Sequence, residues 1–334
     1  MSESAKTLKN KKEILIIGAG PAGLVAAINL NREGFKVVVR EKQDSVGGDP
    51  GWHPSIHTTP VANPGLYNYI GIDCSEAFVS STEVLKVYFN SEEKPELKFV
   101  FPKYGMSNVE RGHRESSLDS FLYRIAKKEG VKFEFNTPVT KEELSNAPKG
   151  TIIATGLTPG VYDWLGIDFS IFSGYWANCE VEKDFICNNF YFGTYSNEYG
   201  YTCAMNGIWY VLIFARKGVK QENLDRFKKE LERIEGRTFE KWNHFLGHTP
   251  KGPRLFYKDF ILTGTMAGFI EPAFGGGITG ALLSGKIAAI AVTDQAKAEL
   301  EFKRFTDGII KVIERKRKVR YTPTIQMGDI WFKL

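Results

Sequence analysis

The chain has 334 residues, of which 43% are hydrophobic and 25% are charged, and its formal net charge is +5. This composition is typical of a folded protein of one or two domains and argues against a disordered chain. No apolar run approaches the ~18 residues that span a bilayer, and the opening residues lack the apolar core of a signal peptide. The four cysteines are scattered without a CxxC pair, which argues against a disulfide framework and a structural zinc site. We therefore expect a cytoplasmic protein that binds no metal ion.

The first predicted elements form a βαβ unit. The apolar strand KEILIIG leads into the helix PAGLVAAINLNREG, and the valine-rich strand FKVVVREK follows. The strand and the helix are joined by GAGPAG, a G-x-G-x-x-G turn with Gly18, Gly20 and Gly23. In such turns the first glycine permits the tight bend, the second lets a pyrophosphate approach the backbone, and the third lets the helix pack on the strand. The N-terminus of the helix attracts the anion.

An acidic residue, Glu41, ends the second strand. A carboxylate at this position accepts hydrogen bonds from the ribose hydroxyls of a dinucleotide and disfavours a 2′-phosphate. The unit therefore predicts NAD or FAD rather than NADP. We assign dinucleotide contacts in this unit to Gly18, Gly20, Pro21, Ala22, Gly23, Glu41 and Lys42.

The middle of the chain is predicted to be richer in strands. Residues 45–65 are rich in glycine and proline and are expected to form a long loop, and the alternating stretches over 83–101 predict short antiparallel strands. A helix is predicted from Ser116 or Ser117 to Gly130. Residues 160–220 are aromatic and strand-like, and an amphipathic helix follows them.

The stretch FIEPAFGGGITGALLSGKIAA at 269–289 decides between the two dinucleotides. Together with GAGPAG, Glu41 and the ATG at 154–156, it resembles the FAD-dependent family that contains geranylgeranyl reductases, tryptophan halogenases and hydroxylases of the p-hydroxybenzoate type. The geranylgeranyl reductase branch is the most similar, and RGHRESSLDSFLYRIAKKEGV at 111–131 resembles its arginine-bearing helix. The resemblance covers the FAD scaffold and hardly reaches the substrate region.

The resemblance implies that FAD is held at two glycine turns, with its pyrophosphate at the first and its flavin ring beside the second. The helix after the second turn would direct its N-terminus at the flavin. Where the family has an aspartate for the ribityl chain, this sequence has Thr265, which can hydrogen-bond without a charge. The further FAD contacts that the resemblance implies are Arg111 or Arg114 for the phosphates, and Ala154, Thr155, Gly156, Gly264, Thr265, Gly276, Gly277 and Ile278.

The predicted elements indicate an α/β protein with an inserted antiparallel β-sheet substrate subdomain, and the resemblance implies that its Rossmann-type domain binds FAD like that of glutathione reductase and p-hydroxybenzoate hydroxylase. The predicted divisions are a flexible arm at 1–12, an FAD-binding domain from 13–82, 105–160 and 255–310, a substrate-covering subdomain from 83–104 and 161–254, and a basic segment at 311–334.

The resemblance favours an FAD-dependent oxidoreductase that reduces C=C bonds of a small apolar substrate, for example one of the prenyl type. A monooxygenase of an aromatic or apolar substrate and a non-catalytic FAD-binding electron-transfer or regulatory subunit remain open alternatives. Halogenation is disfavoured because the sequence has no W-x-W-x-I-P motif. Since no second G-x-G-x-x-G directly follows a predicted strand, as GAGPAG does, we expect an external electron donor, either NAD(P)H or a ferredoxin-like protein.

The candidate catalytic residues are His53 and His57, which lie in a loop that can reach the active site in this fold. A histidine with its ordinary pKa near ~6.5 can act as a proton donor. Glu271, in the second glycine loop, is a candidate contact for substrate or flavin. The basic run KVIERKRKVR at 311–320 is either a solvated helix end or a patch that contacts an anionic membrane surface or an acidic protein partner, and nucleic acid is not an expected partner.

Overall fold

A computed structural model of the protein describes residues 12–101, 103–216, 218–270 and 275–318, without the side chains of 99–100 and 312–318. The predicted flexible arm up to residue 11, Glu271, and the basic segment from residue 319 onward lie outside these ranges. Within them, no helix has both the length and the apolar character that crossing a bilayer requires.

The described chain alternates helices and strands at both ends and is mostly strands in the middle. The strands are β1 Glu13–Ile17, β2 Lys36–Arg40, β3 Ser55–Pro60, β4 Phe78–Ser80, β5 Leu85–Phe89, β6 Glu92–Glu93, β7 Met106–Arg111, β8 Lys132–Glu134, β9 Ile152–Ile153, β10 Phe169–Glu180, β11 Cys187–Phe192, β12 Tyr199–Met205, β13 Ile208–Ala215, β14 Asn243–Pro250, β15 Phe256–Tyr257 and β16 Phe260–Leu262. The α-helices are α1 Pro21–Arg32, α2 Gly65–Ile70, α3 Leu118–Lys128, α4 Lys141–Ser145, α5 Pro159–Leu165, α6 Gln221–Glu235, α7 Ile278–Thr293 and α8 Gln295–Lys318.

A six-stranded sheet in the order β15-β16-β9-β1-β2-β8 forms the layer that is predicted to bind the dinucleotide, here called the nucleotide-binding layer. All neighbours in it are parallel except the β15–β16 pair. Helix α1 crosses helix α7 so closely that a Cβ on Gly285 would lie 2.5 Å from the carbonyl oxygen of Ala22. Small residues therefore let the helices that follow the two glycine turns pack against each other.

A seven-stranded sheet in the order β14-β10-β13-β12-β11-β5-β6 forms the second layer. Helix α6 covers one of its faces and buries Leu224, Phe227 and Leu231 there. The other face presents a second set of aromatic side chains toward the nucleotide-binding layer. The small antiparallel sheet β3-β7-β4 lies beside this second face. The predicted α/β architecture with an additional antiparallel sheet is confirmed, while the predicted domain boundaries stay a prediction.

Two local predictions were wrong. The region 45–65 contains a strand, β3, because its residues pair antiparallel with β7, a partner about fifty positions later that local composition does not reveal. Residues Pro95–Val100 form a 3₁₀-helix rather than a strand. Pro95 lacks a backbone N–H and suits the first position of such a turn, and the N–H of Leu97 bonds to the carbonyl of Lys94 at 3.0 Å.

Candidate cofactor and substrate site

The turn between β1 and α1 requires glycine for steric reasons at two positions. Gly18 has φ +107°, and a Cβ there would lie 2.5 Å from the carbonyl oxygen of Ala154. A Cβ on Gly23 would lie 2.1 Å from the carbonyl oxygen of Gly18. Real Cβ atoms are not found at these distances, so the first and third glycines of the motif set the packing of helix α1 on the sheet.

Gly20 has a different role. It precedes helix α1 with ordinary extended backbone, its Cβ position is open space, and no side chain caps the helix. Pro21 begins the helix, as proline does where no N–H is needed. An uncapped helix N-terminus behind a bare backbone fits a phosphate group.

The carboxylate of Glu41 lies directly after β2 and beside this turn. It is 7% exposed and accepts hydrogen bonds from the N–H of Ala19 at 2.8 Å and of Gln43 at 3.1 Å. These bonds fix the orientation of the carboxylate at the edge of the turn, where a ribose would lie.

A cavity of about 880 Å³ extends from this turn to the seven-stranded sheet. Its volume falls within the ~300–1,000 Å³ typical of sites for small molecules and cofactors. The predicted residues that line it are Gly18, Gly20, Pro21, Ala22, Glu41, Lys42, His53, His57, Arg111, Ala154, Thr155, Gly156, Gly264, Thr265, Gly276, Gly277 and Ile278. The two glycine turns, far apart in the chain, thus border one space.

Two predicted residues do not line this cavity. Gly23 lies beneath the turn, against Gly18. Arg114 forms an ion pair with Glu110 at 3.3 Å and donates to the carbonyl of Asn206 at 2.8 Å. Of the two arginines predicted as alternatives, the structure therefore brings Arg111 to the cavity.

Arg111 is held by a bidentate ion pair. Its Nε and Nη2 atoms donate to the carboxylate of Asp119 at 2.7 and 2.9 Å, and the N–H of Gly112 adds a third bond. Burial alone raises the pKa of Asp119, but the charge and hydrogen bonds of Arg111 outweigh it and the pKa is lowered. The pair keeps a guanidinium at the cavity wall in a fixed orientation.

The second glycine loop leads into helix α7. Gly277 precedes the helix without a side-chain cap, and the Cβ position of Gly277 is 3.9 Å from the Oγ1 atom of Thr265. The hydroxyl of Thr279, in the first turn, bonds to Pro60 and Thr59 of β3 at 2.7 and 2.8 Å. The N-terminus of α7 is thus fixed relative to β3 and borders the cavity with bare backbone.

The wall opposite the nucleotide-binding layer is a transverse row of four side chains on the seven-stranded sheet. Trp176 pairs with Leu212, Leu212 with Tyr201, and Tyr201 with Phe190 across β10, β13, β12 and β11. All four line the cavity, and the ring of Tyr210 stacks on Trp176 with centroids 5.8 Å apart. Paired residues of neighbouring strands share a face, so the row presents a continuous and mostly apolar surface.

A hydrogen-bonded chain, the His53–Ser55–His57–Tyr201 chain, joins β3 to this wall. The Nδ1 atom of His53 is 2.8 Å from the Ser55 hydroxyl, which is 2.9 Å from the Nε2 atom of His57. The Nδ1 atom of His57 is 2.7 Å from the hydroxyl of Tyr201. Every second residue of β3 points to the same side, which brings Ser55 and His57 together.

The histidines of this chain do not have ordinary acidity. Burial, followed by the nearby charges of Arg111 and His53, lowers the pKa of His57 to about 3. Burial, followed by Arg111, lowers the pKa of His53 to about 4. The expectation of a pKa near 6.5 was wrong, because partial removal from solvent and the nearby positive charge of Arg111 both disfavour the protonated form of these half-buried imidazoles. Both side chains are neutral at pH 7.

Sequence reasoning missed Ser55, Tyr201 and Trp176 as site residues. The alternation His53-x-Ser55-x-His57 is a strand period that could have placed three polar side chains on one face. Nothing in the sequence pairs that face with Tyr201. Among the described residues, no group of three or more His, Cys, Asp or Glu is arranged to hold a metal ion.

Several known proteins resemble this chain in sequence and in fold. The NAD(P)-binding Rossmann-like domain family matches residues 16–51. Digeranylgeranylglycerophospholipid reductase of Methanococcus vannielii is 25% identical, over 98% of this chain and 87% of its own length. Flavin-containing monooxygenase FMO GS-OX-like 5 of Arabidopsis thaliana is 35% identical over 38% of this chain. The chain spans only 28% of that monooxygenase and of its relative FMO GS-OX-like 3.

Solved structures show the same fold. A geranylgeranyl bacteriochlorophyll reductase-like protein from Thermoplasma acidophilum has a TM-score of 0.63 at 20% identity, covering 93% of this chain and 85% of its own. The flavin-dependent brominase Bmp2 has a TM-score of 0.66 at 15% identity, covering 93% and 88%. The resemblance to FAD-dependent proteins of the geranylgeranyl reductase and p-hydroxybenzoate hydroxylase type is confirmed, and FAD is the cofactor that these similarities support.

Proposed function

We propose that the protein is an FAD-dependent oxidoreductase that reduces a C=C double bond of an apolar substrate. The observation that carries this proposal is a cavity that both glycine turns border at one end and the row of Trp176, Leu212, Tyr201 and Phe190 borders at the other. The similarity to a reductase over nearly the whole chain also supports it.

In this proposal the residues that border the cavity would hold FAD. The backbone of the first turn, from Gly18 to Ala22, would bind the pyrophosphate, with Arg111 nearby to offset its charge. Glu41 would accept hydrogen bonds from the ribose hydroxyls, and the backbone of Gly276 to Ile278 would contact the flavin ring. When bound, FAD supplies the hydride for the reduction.

In this proposal the protein contributes an apolar surface that excludes water, and a proton. The aromatic side chains of the seven-stranded sheet that line the cavity, such as Trp176, Phe190 and Tyr201, would cover the reacting part of the substrate and exclude water, which strengthens every polar contact there. The His53–Ser55–His57–Tyr201 chain ends in a hydroxyl at this surface. Electrons reach the protein from NAD(P)H or a ferredoxin-like donor. The basic C-terminal end of α8, which includes Lys311, would contact an anionic membrane that contains an apolar substrate.

A second candidate is a monooxygenase of an aromatic substrate. The stacked Trp176 and Tyr210 favour a flat ring as the ligand, and the similarity to flavin-containing monooxygenases covers the first part of the chain. Both candidates use the same bound FAD. They differ in whether the reduced cofactor reacts with the alkene of the substrate or with oxygen.

One experiment separates the candidates. The FAD-loaded protein is photoreduced without oxygen and then mixed either with geranylgeraniol, with the enone benzylideneacetone, or with air. A reductase reoxidises its flavin with one of the alkenes, giving a product with two added hydrogens, and reacts slowly with air. Rapid reaction with oxygen that also oxygenates a ligand supports the monooxygenase instead. A flavin that neither alkene nor oxygen reoxidises quickly would overturn both and leave an electron-transfer or regulatory subunit.

A further inference from the structure

The aromatic wall of the cavity contains a tyrosine whose hydroxyl group belongs to a long hydrogen-bonded chain. Tyr201 is 5% exposed, lines the cavity, and lies between Leu212 and Phe190 in the transverse row. Its hydroxyl is the end of the His53–Ser55–His57–Tyr201 chain, whose other members come from a segment 144 positions away or more. A wall built only to hold hydrocarbon would not need this chain, because burying polar groups costs free energy unless all of them are paired.

The chain is held firmly to the sheet on both sides of His57. The Nδ2 atom of Asn178 donates to the carbonyl of Pro54 at 2.8 Å, and the Nδ2 atom of Asn188 donates to the hydroxyl of Thr58 at 2.8 Å. Both asparagines belong to the seven-stranded sheet that carries Tyr201. The position of the Tyr201 hydroxyl relative to His57 is therefore fixed before any ligand binds.

Because both imidazoles are neutral, the hydrogen bonds in the His53–Ser55–His57–Tyr201 chain can all run in the same direction from donor to acceptor. Each neutral ring has one N–H donor and one bare nitrogen acceptor. If the Nδ1–H of His57 donates to Tyr201, then the Ser55 hydroxyl donates to His57 and the Nδ1–H of His53 donates to Ser55. In this arrangement the chain does not use the hydroxyl hydrogen of Tyr201, which is free to donate into the cavity. A ligand with a hydrogen-bond acceptor at that point selects this arrangement over the reverse one.

We propose that the substrate is an activated alkene, namely an α,β-unsaturated carbonyl compound with an apolar or aromatic body, whose carbonyl oxygen accepts a hydrogen bond from Tyr201. This inference rests on the proposed reductase function and gives it a substrate class. The hydrogen bond polarises the conjugated C=C bond, so that the β-carbon becomes the site of hydride attack. An isolated alkene has no oxygen atom that could accept this hydrogen bond from Tyr201.

The same chain supplies the proton that the reduction consumes. A hydride donor in the cavity adds H⁻ to the β-carbon, the C=C pair moves toward the carbonyl, and the enolate oxygen takes the Tyr201 proton. The phenolate oxygen takes the Nδ1 proton of His57, whose Nε2 takes the Ser55 proton, and Ser55 takes the Nδ1 proton of His53. His53, which is only partly buried, recovers a proton from water. The enol then becomes the ketone, and the substrate has gained one hydride and one proton.

The test uses two probes with the same carbon skeleton. Benzylideneacetone is an enone, and (E)-1-phenyl-1-butene is the alkene without the carbonyl oxygen. Binding of each to the oxidised FAD-loaded protein is measured by equilibrium dialysis, which needs no turnover. We expect the enone to bind about tenfold more tightly than the alkene, the size of effect expected for one buried hydrogen bond.

The variant Tyr201→Phe keeps the ring and removes only the hydroxyl. It should reduce enone affinity to that of the alkene and leave alkene affinity unchanged. The matched control is Tyr175→Phe, one position from Trp176 on the opposite face of β10, which should keep the tenfold preference. Retained FAD absorbance and circular dichroism verify that each variant folds.

Equal affinity of the wild-type protein for the two probes, including no measurable binding of either, would overturn the assignment, as would an unchanged preference in Tyr201→Phe. The outcome is separate from that of the reductase proposal. A protein that selects the enone through Tyr201 but cannot reduce it keeps the binding assignment and refutes the reductase activity.

Discussion

The two ends of the cavity differ in whether backbone or side chains form their surface. One end is bordered by the first glycine turn, and we call it the phosphate end after its proposed ligand. Backbone forms this end, because Gly18 and Gly23 leave no room for a Cβ and Gly20 leaves the space in front of helix α1 open. At the substrate end, side chains form the surface, and Tyr201 depends on His57 and Ser55 for its orientation.

This difference separates what is general in the protein from what is specific. A backbone turn holds the phosphates of any dinucleotide, and it is disturbed only by atoms that collide with it. A surface of packed and hydrogen-bonded side chains selects one ligand. Each of these side chains can be replaced by a smaller one without steric overlap. We therefore expect steric changes at the first end, and changes of charge and hydrogen bonding at the second, to act in distinguishable ways.

The largest effect is expected at Arg111, on the wall between the two ends. Arg111→Gln would leave the carboxylate of Asp119, whose side chain is 0% exposed, without its counter-ion. The free energy of unfolding should fall by about 3–5 kcal/mol, measured by urea denaturation at saturating FAD. The matched control is Arg32→Gln, which removes an ion pair with Glu129 whose side chains are 42% and 25% exposed, and should cost below ~1 kcal/mol. Similar losses in the two variants would contradict the account.

A steric change at the phosphate end is expected to come next. In Gly23→Ala the new methyl would lie 2.1 Å from the carbonyl oxygen of Gly18, so helix α1 must move away from β1. We expect a loss of about 3 kcal/mol in the free energy of unfolding, as for other overpacked sites, together with weaker FAD binding. Thermal and urea unfolding of wild type and variant measure it. A variant as stable as wild type would show that the turn is looser than described.

The third effect is a pH dependence that arises at the substrate end. His53 and His57 have lowered pKa values of about 4 and about 3 in the folded protein, against ~6.5 in the unfolded chain. Between these values the unfolded chain binds protons that the folded protein does not, so stability is complete above pH 6.5 and falls as the pH decreases. From pH 7 to pH 5 each histidine should remove about 2 kcal/mol.

Urea denaturation at the two pH values measures this loss. His57→Gln should reduce the loss, while His244→Gln, at an exposed histidine of β14, should not. A wild-type protein equally stable at both values would contradict the burial of the chain.

The smallest effect is expected at Gly20, where a substitution should weaken FAD binding without changing the stability of the fold. Gly20→Ala places a methyl in open space at an ordinary backbone conformation, so stability without FAD should stay within ~0.5 kcal/mol of wild type. The methyl would lie where the pyrophosphate approaches the backbone, and FAD affinity should fall about tenfold through a weakened charge-assisted hydrogen bond. Titration calorimetry with FAD measures it, and unchanged affinity would place the phosphates elsewhere.

The sequence allowed the phosphate end to be predicted because its determinants are local. A strand, three spaced glycines and an acid lie within one short segment, and the structure brings Gly18, Gly20 and Glu41 to the same cavity. The family resemblance added the second glycine turn. Contacts between these residues and FAD stay predictions, and Arg111 could be distinguished from Arg114 only once β7 had a place in the structure.

The substrate end could not be predicted because its determinants are distant in the chain. His57 meets Tyr201 only because β3 pairs with β7 and lies against the sheet that contains β12. No periodicity within either segment specifies that contact. The histidines were identified as candidates, but their pKa values follow from burial and from Arg111, which composition cannot reveal.

The most direct test of the central claim is a titration of the purified, flavin-free protein with FAD, followed by removal of unbound ligand and measurement of the flavin absorbance that remains. If one cavity joins the two glycine turns around the cofactor, the protein retains one FAD per chain, and the Gly20→Ala variant retains less at equal concentrations. A protein that stays colourless after exposure to micromolar FAD would contradict it.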